Sequence, residues 1–149
     1  MVTDISRAAR ALGMELQVVE ARQRQELARA FEAMTAAKAH AVVVLPDAMF
    51  VAERRRIVEL AATSRMPAIY QLREFAEVGG LISYGPDRTE SLRQSAVLVD
   101  KILRGANPRD LPIEQASTFE LVINLKTAKA LGLTIPPSLL ARADQIIDQ

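Results

Sequence analysis

Asp47 stands directly behind an apolar run, in the segment LPDAMF. A carboxylate at the end of a buried strand lies where open α/β sheets take ligands, and just ahead of a helix whose first amides are free. It can meet a ligand's polar group, or it can cap that helix with its own side chain; the residues leave both roles open. Pro46 ends the strand and joins Asp47 as a candidate ligand contact. Tyr70 and Tyr84 each close a short apolar run, so either ring can stack on a ligand or donate its hydroxyl. The stretch GGLISYG, residues 79–85, sets three glycines round a short strand and leads into Pro86. Gly79, Gly80 and Gly85 are candidate hinge positions. Gly85 is also a candidate ligand contact, and it is the glycine expected to hold a positive φ. Neither GxGxxG nor GxxxxGK[ST] occurs, so this glycine-rich stretch does not read as a phosphate cradle.

Other chemistry finds little support. With no Cys there is no disulfide, thiolate metal site or Cys nucleophile. The single His, His40, has no second His to share a metal. Ser83, His40 and Asp47 can be written down as a triad, but one His chosen from one carries no information. A phospho-acceptor role for Asp47 would need an acidic pair after an early strand and a late lysine in the sheet; Lys126 and Lys129 fall in a helix instead. Arg54, Arg55 and Arg56 fan over a wide arc of a helix and read as its solvated face. No cofactor, metal or catalytic group is expected.

The chain has 149 residues, of which 50% are apolar and 25% charged, enough to bury the core of one domain. Its 19 basic and 18 acidic side chains leave a net charge of +1, with no basic excess for nucleic acid. Aromatics are 4% and Trp is absent, so a base-stacking platform is not expected. No apolar run approaches the roughly 18 residues of a membrane span. The start, MVTDISRAARALG, lacks the apolar core of a signal peptide.

The elements that must position these residues follow from periodicity. Residues 4–12 show helical spacing (Ile5, Ala8, Ala9, Leu12), with Gly13 at the C-terminal cap. Residues 15–20 alternate like a strand. Residues 23–38 carry a helical stripe of Leu27, Ala30, Phe31 and Met34. Residues 41–45 form a continuous β-branched run, the pattern of a strand covered on both faces. A helix over 50–64, a strand over 67–70, a helical turn over 72–78 ended by Gly79 and Gly80, and a strand over 81–84 follow. Residues 87–104 form a long amphipathic helix with Leu92, Ala96, Val99 and Leu103 on one face, closed by Gly105. Residues 113–123 read as extended, with Phe119, Leu121 and Ile123 on one face. Asn124 caps a helix over 125–131, ended by Gly132. Pro136 and Pro137 open a last helix with Leu139, Leu140, Ala143, Ile146 and Ile147 as its apolar face. Alternating strands and helices mean an open α/β fold with a mainly parallel sheet and helices on both faces. Such a sheet begins with a strand, which is expected upstream of Met1.

Several stretches together resemble the C-terminal half of a family of bacterial ABC-transporter substrate-binding proteins with the type I periplasmic-binding-protein fold. They are AARALGMELQVVEAR, AFEAMTAAKAHAVVVLPDAMF, MPAIYQLREFAEVGGLISYGPD and, most distinctive, VDKILRGANPRDLPIEQASTFELVINLKTAKALGLTIPPSLLARAD. The resemblance covers nearly the whole chain. It implies a two-lobed protein that closes about a hinge on a small solute, such as an amino acid, and passes it to a membrane permease without catalysis. It implies that residues 1–84 are part of the second lobe, 85–112 a crossover and a helix that packs on the other lobe, and 113–149 the return strand and C-terminal helices. LPDAMF and ISYG then lie at the cleft. The intact parent is implied to be periplasmic, with its first lobe and signal peptide outside these residues. Two other readings are a truncated, self-associating remnant that binds no ligand, and the effector domain of a lac-repressor-type regulator, which needs a helix-turn-helix not visible in residues 1–149. The apolar stripe of the helix over 87–104 needs cover that its own lobe does not offer, so a two-fold homodimer burying it is expected.

Overall fold

The computed structural model describes residues 2–112 and 118–148. They fall into two units, Met1–Lys38 and Ala39–Gln149. The first unit holds α1 (Val2–Ala11) and α2 (Glu26–Ala36). Gly13, at φ +68°, lets the chain leave α1 in the left-handed conformation. The strand expected over 15–20 does not form: the segment has no regular secondary structure and is largely exposed. A strand exists only where its amides and carbonyls meet a neighbour's. Alternation along 15–20 is compatible with a strand, but no described residue forms a ladder with it.

The second unit is built on five strands: β1 (Val42–Val44), β2 (Ala68–Tyr70), β3 (Ile82–Pro86), β4 (Phe119–Asn124) and β5 (Gln145–Ile147). They lie side by side in chain order. All neighbours are parallel except β3 and β4, which run antiparallel. The fold is therefore an open, mainly parallel α/β sheet. The links are α3 (Ala48–Ala52), α4 (Arg54–Thr63), α5 (Arg73–Glu77), α6 (Arg88–Leu103), α7 (Leu125–Leu131) and α8 (Pro137–Leu140). The single helix expected over 50–64 is two, parted at Glu53. The break lets α4 bury Ile57, Val58 and Ala61, whereas α3 buries nothing.

Parallel strands that advance in one direction through right-handed crossovers carry their helices on one face. The register puts Val44, Tyr70, Ser83 and Val122 on a common face. α5 packs there: Phe75 stacks on Tyr70 with centroids 4.6 Å apart, and Asn124 Nδ2 donates to the Ala76 carbonyl at 3.1 Å. On the opposite face Val43, Tyr84, Phe119 and Ile146 stay about half exposed. The double cover expected for β1 thus fails at Val43: β1 is the edge strand of the described sheet, and its central side chain points away from the helix layer.

The C-terminus departs most from its periodicity. The expected last helix stops at Leu140, and residues 145–147 instead form β5, parallel to β4. Asp144 pins the chain there. Its amide donates to the Leu121 carbonyl at 2.9 Å, and its Oδ2 accepts from the Leu121 amide at 2.7 Å. Three residues are too few to separate a strand from a helical stripe by period. The expected return strand is found only over β4, since residues 113–117 lie outside the described residues. α6 matches its periodicity: Asp87 accepts from the Thr89 and Glu90 amides, and Gly105 closes it at φ +99°.

Candidate functional site

Asp47 follows β1 in an extended conformation, and its Oδ1 accepts the Met49 amide at 2.8 Å. It is an N-cap, as one of its two sequence readings had it, and its side chain remains exposed. Pro46, Asp47 and Phe50 form one flank of a shallow recess at the carboxyl ends of β1 and β2; Gln71 and Leu72 form the other. Counting its open mouth, the recess holds about 180 Å³, below the roughly 300–1,000 Å³ that encloses a small molecule. It is one wall of a site. Gly85, at the end of β3, meets the same place: a Cβ there would stand 1.9 Å from the Gln71 carbonyl oxygen.

The structure therefore brings Pro46, Asp47 and Gly85 together round Gln71, which the sequence reading passed over. Gln71 could have been found by the rule that found Asp47, since it is the first residue after a strand. Tyr84 belongs elsewhere. Its side chain is on the opposite face of the sheet, 52% exposed, stacked on Phe119 with centroids 5.6 Å apart. Tyr70 is a core residue, 2% exposed, and burial pushes its hydroxyl well above the usual tyrosine range. In this chain its ring serves the stack with Phe75.

The glycines differ from the expectation in kind. Gly85 does not have a positive φ; it is required because β2 and β3 leave no room for a side chain beside Gln71. Gly79 does, at φ +107°, and together with Gly80 it ends α5, their amides donating to Ala76 and Phe75. Both precede β3, at the edge opposite Gly85. Thr127 Oγ1 donates to the Gly79 carbonyl at 2.8 Å, tying that turn to α7.

Arg73, just past β2, is the electrostatic anchor of this edge. Its guanidinium donates to Glu77 at 2.9 Å, Glu120 at 2.9 Å and Gln145 at 2.7 Å, joining α5, β4 and β5. The hydrogen bond to Glu77, and then the charges of Glu120 and Glu77, hold its proton more firmly than usual. Arg88 at the head of α6 pairs with Glu74 at 2.8 Å. No cluster of three His, Cys, Asp or Glu occurs among the described residues. His40 is exposed and Ser83 is 1% exposed under α5, so the triad has no common surface. This edge offers a carboxylate, an amide side chain and strand-end peptide groups, the means to hold a small polar molecule.

Ser83 Oγ has no hydrogen-bond partner among the described residues. A buried hydroxyl left unpaired costs about 1–3 kcal/mol. Ser83→Ala should therefore leave the melting temperature unchanged or raise it. A clear fall on thermal denaturation would show that the hydroxyl is satisfied.

The sequence profile of one family, ABC transporter substrate binding protein, matches residues 1–147. A conserved domain protein of Vibrio cholerae superposes with a TM-score of 0.89 at 28% identity, over 97% of this chain and 49% of its own. A domain from Streptococcus pneumonia solved with L-Trp gives 0.89 at 30% identity, over 98% of this chain and 50% of its own. A ligand-free, open substrate-binding protein of Clostridium difficile shares the fold at 0.69 and 18% identity. The chain spans about half the length of each of these structures. No protein of curated function is significantly similar to it.

Proposed function

The chain belongs to the ABC transporter substrate-binding protein family, and from that premise we propose that it carries one wall of a solute-binding cleft and performs no catalysis. The observation behind this is the recess at the carboxyl ends of β1 and β2, lined by Pro46, Asp47 and Gln71, with Gly85 packed against Gln71. Open α/β sheets bind ligands at that edge. The solute is an amino acid or similar small organic molecule. An exposed carboxylate suits an ammonium group, and the L-Trp complex of the Streptococcus pneumonia domain lends the class support. Tyr84, on the other face of β3, contacts solute only from across the crossover. Residues 1–84 belong to one lobe, 85–112 to the crossover and a helix of the other, and 113–149 to the return. Closure bends the paired strands β3 and β4 beyond Gly85. The partners are the solute, an ABC permease in the intact parent, and a second copy of the chain; the parent works in the periplasm.

Thermal shift against a panel of amino acids tests this, because a ligand that binds only the native state raises the melting temperature. Asp47→Asn keeps an effective cap on α3 and removes the charge. It should unfold at the wild-type temperature while binding the active amino acid about tenfold or more weakly, the loss of one charge-assisted hydrogen bond. A panel without any shift, or an Asp47→Asn chain that binds as wild type, would sink the proposal.

A further inference from the structure

The first turn of α5 reaches three places at once. Leu72, its N-cap, lines the recess. Arg73 reaches β4, where its guanidinium donates to Glu120 at 2.9 Å; Glu120 is the register partner of Gly85. Glu74 reaches past the crossover, its Oε1 accepting from Arg88 Nη1 at 2.8 Å. Arg88 is the first residue of α6. One ion pair therefore holds the crossover strands on the near side of the bend, and the other holds the helix on its far side.

Neither carboxylate is freely solvated. The side chains of Glu120 and Glu74 are 19% and 31% exposed, against 67% for Glu20 in its pair with Arg22. Enclosure weakens screening by water. Glu74 Oε2 is buried and has no hydrogen-bond partner among the described residues. A carboxylate with one oxygen already shut off from water loses more when its cation leaves than a solvated one does. The ladder of β3 and β4 ends at Pro86 and Phe119. Past it the Asp87 amide donates to the Thr118 carbonyl at 3.0 Å. A bend beyond Gly85 changes the distance from α5 to the head of α6. It must stretch or break the Glu74–Arg88 pair while leaving Arg73 on Glu120.

We propose that Glu74 and Arg88 are positioning residues for solute capture, a latch across the crossover that sets how readily it bends when a solute settles against Leu72. This rests on the reading of residues 85–112 as crossover and helix of the other lobe. The latch exists without solute, so its failure and that of the solute reading are told apart.

Hydrogen exchange of the full chain without solute, followed amide by amide by NMR, is the test. The Asp87 amide reports opening of the crossover at its far end, and the substitutions leave Asp87 and Thr118 untouched. Glu74→Gln keeps the side chain's shape and removes its charge; Arg88→Gln removes the cation, on a side chain 59% exposed. Each should speed exchange at Asp87 about threefold or more. The chain carrying both should exchange no faster than either single variant, because the pair is lost only once. Arg88→Lys, which keeps the charge, should return most of the protection. Amides of β2 and of the β3–β4 ladder should keep their wild-type rates. An Asp87 rate indifferent to Glu74→Gln, effects of the two substitutions that simply add, or a uniform speeding through β2 and β4, the mark of lost global stability, would overturn the proposal.

Discussion

Gly85→Ala should lower the free energy of unfolding by about 3 kcal/mol, the upper end of the usual cost of forcing a carbon into packed space. The added Cβ would stand 1.9 Å from the Gln71 carbonyl oxygen and 2.8 Å from Gln71 Cγ. The first of these atoms is backbone and cannot swing aside. β3 cannot retreat either, because it is hydrogen-bonded to β2 on one side and to β4 on the other, where Gly85 pairs with Glu120. Gly13→Ala is the contrast. Gly13 has a positive φ but nothing within 4 Å, so only backbone strain of about 1 kcal/mol is lost. Urea titration of both variants, with the slope checked for constancy, decides the matter. Equal midpoints would show that β2 and β3 can part at no cost, and the tight edge described for the recess would fall with that result.

Asn124→Ala should cost about 2 kcal/mol. Asn124 is 4% exposed and serves two elements at once. Its Oδ1 accepts from the Thr127 amide at 3.0 Å and caps α7; its Nδ2 donates to the Ala76 carbonyl at 3.1 Å and ties β4 to the end of α5. Loss of the cap costs about 1 kcal/mol, and loss of the bond to the Ala76 carbonyl, which keeps the Gly79 amide as its donor, adds about 1 kcal/mol. Asn124→Asp separates the two roles. Aspartate caps a helix as well as asparagine does, but it would turn a carboxylate oxygen toward Ala76 O. Chemical denaturation should find Asn124→Asp nearly as damaging as Asn124→Ala. An aspartate variant of wild-type stability would mean that Asn124 is only a cap.

Asn124 also shows where local reading suffices. A helix cap is a matter of a few consecutive residues, so Asn124, Gly105 and Gly132 could be placed from the chain alone. The bond from Asn124 to Ala76 spans 48 positions, and no local pattern announces it. Gly85 was expected to hold a positive φ and does not. Its neighbours Tyr84 and Pro86 suggest a turn, whereas the need for glycine comes from Gln71, just past the end of the adjacent strand. Tyr70 and Tyr84 looked equivalent as strand-ending aromatics. Which face each ring takes depends on the register with β2, β3 and β4, and that register buried one and left the other half exposed.

By itself the sequence determined the alternation of strands and helices, the caps, the amphipathic stripe of α6 and the carboxylate at the end of β1, because each depends on neighbours within a turn or two of chain. Only the tertiary structure decided that residues 15–20 form no ladder, that residues 145–147 form a strand, and that Gln71 and Gly85 meet beside Asp47. Those outcomes turn on a partner supplied from elsewhere. A backbone amide becomes part of a strand when another strand's carbonyl is opposite it, and a recess exists where the ends of separate strands come side by side.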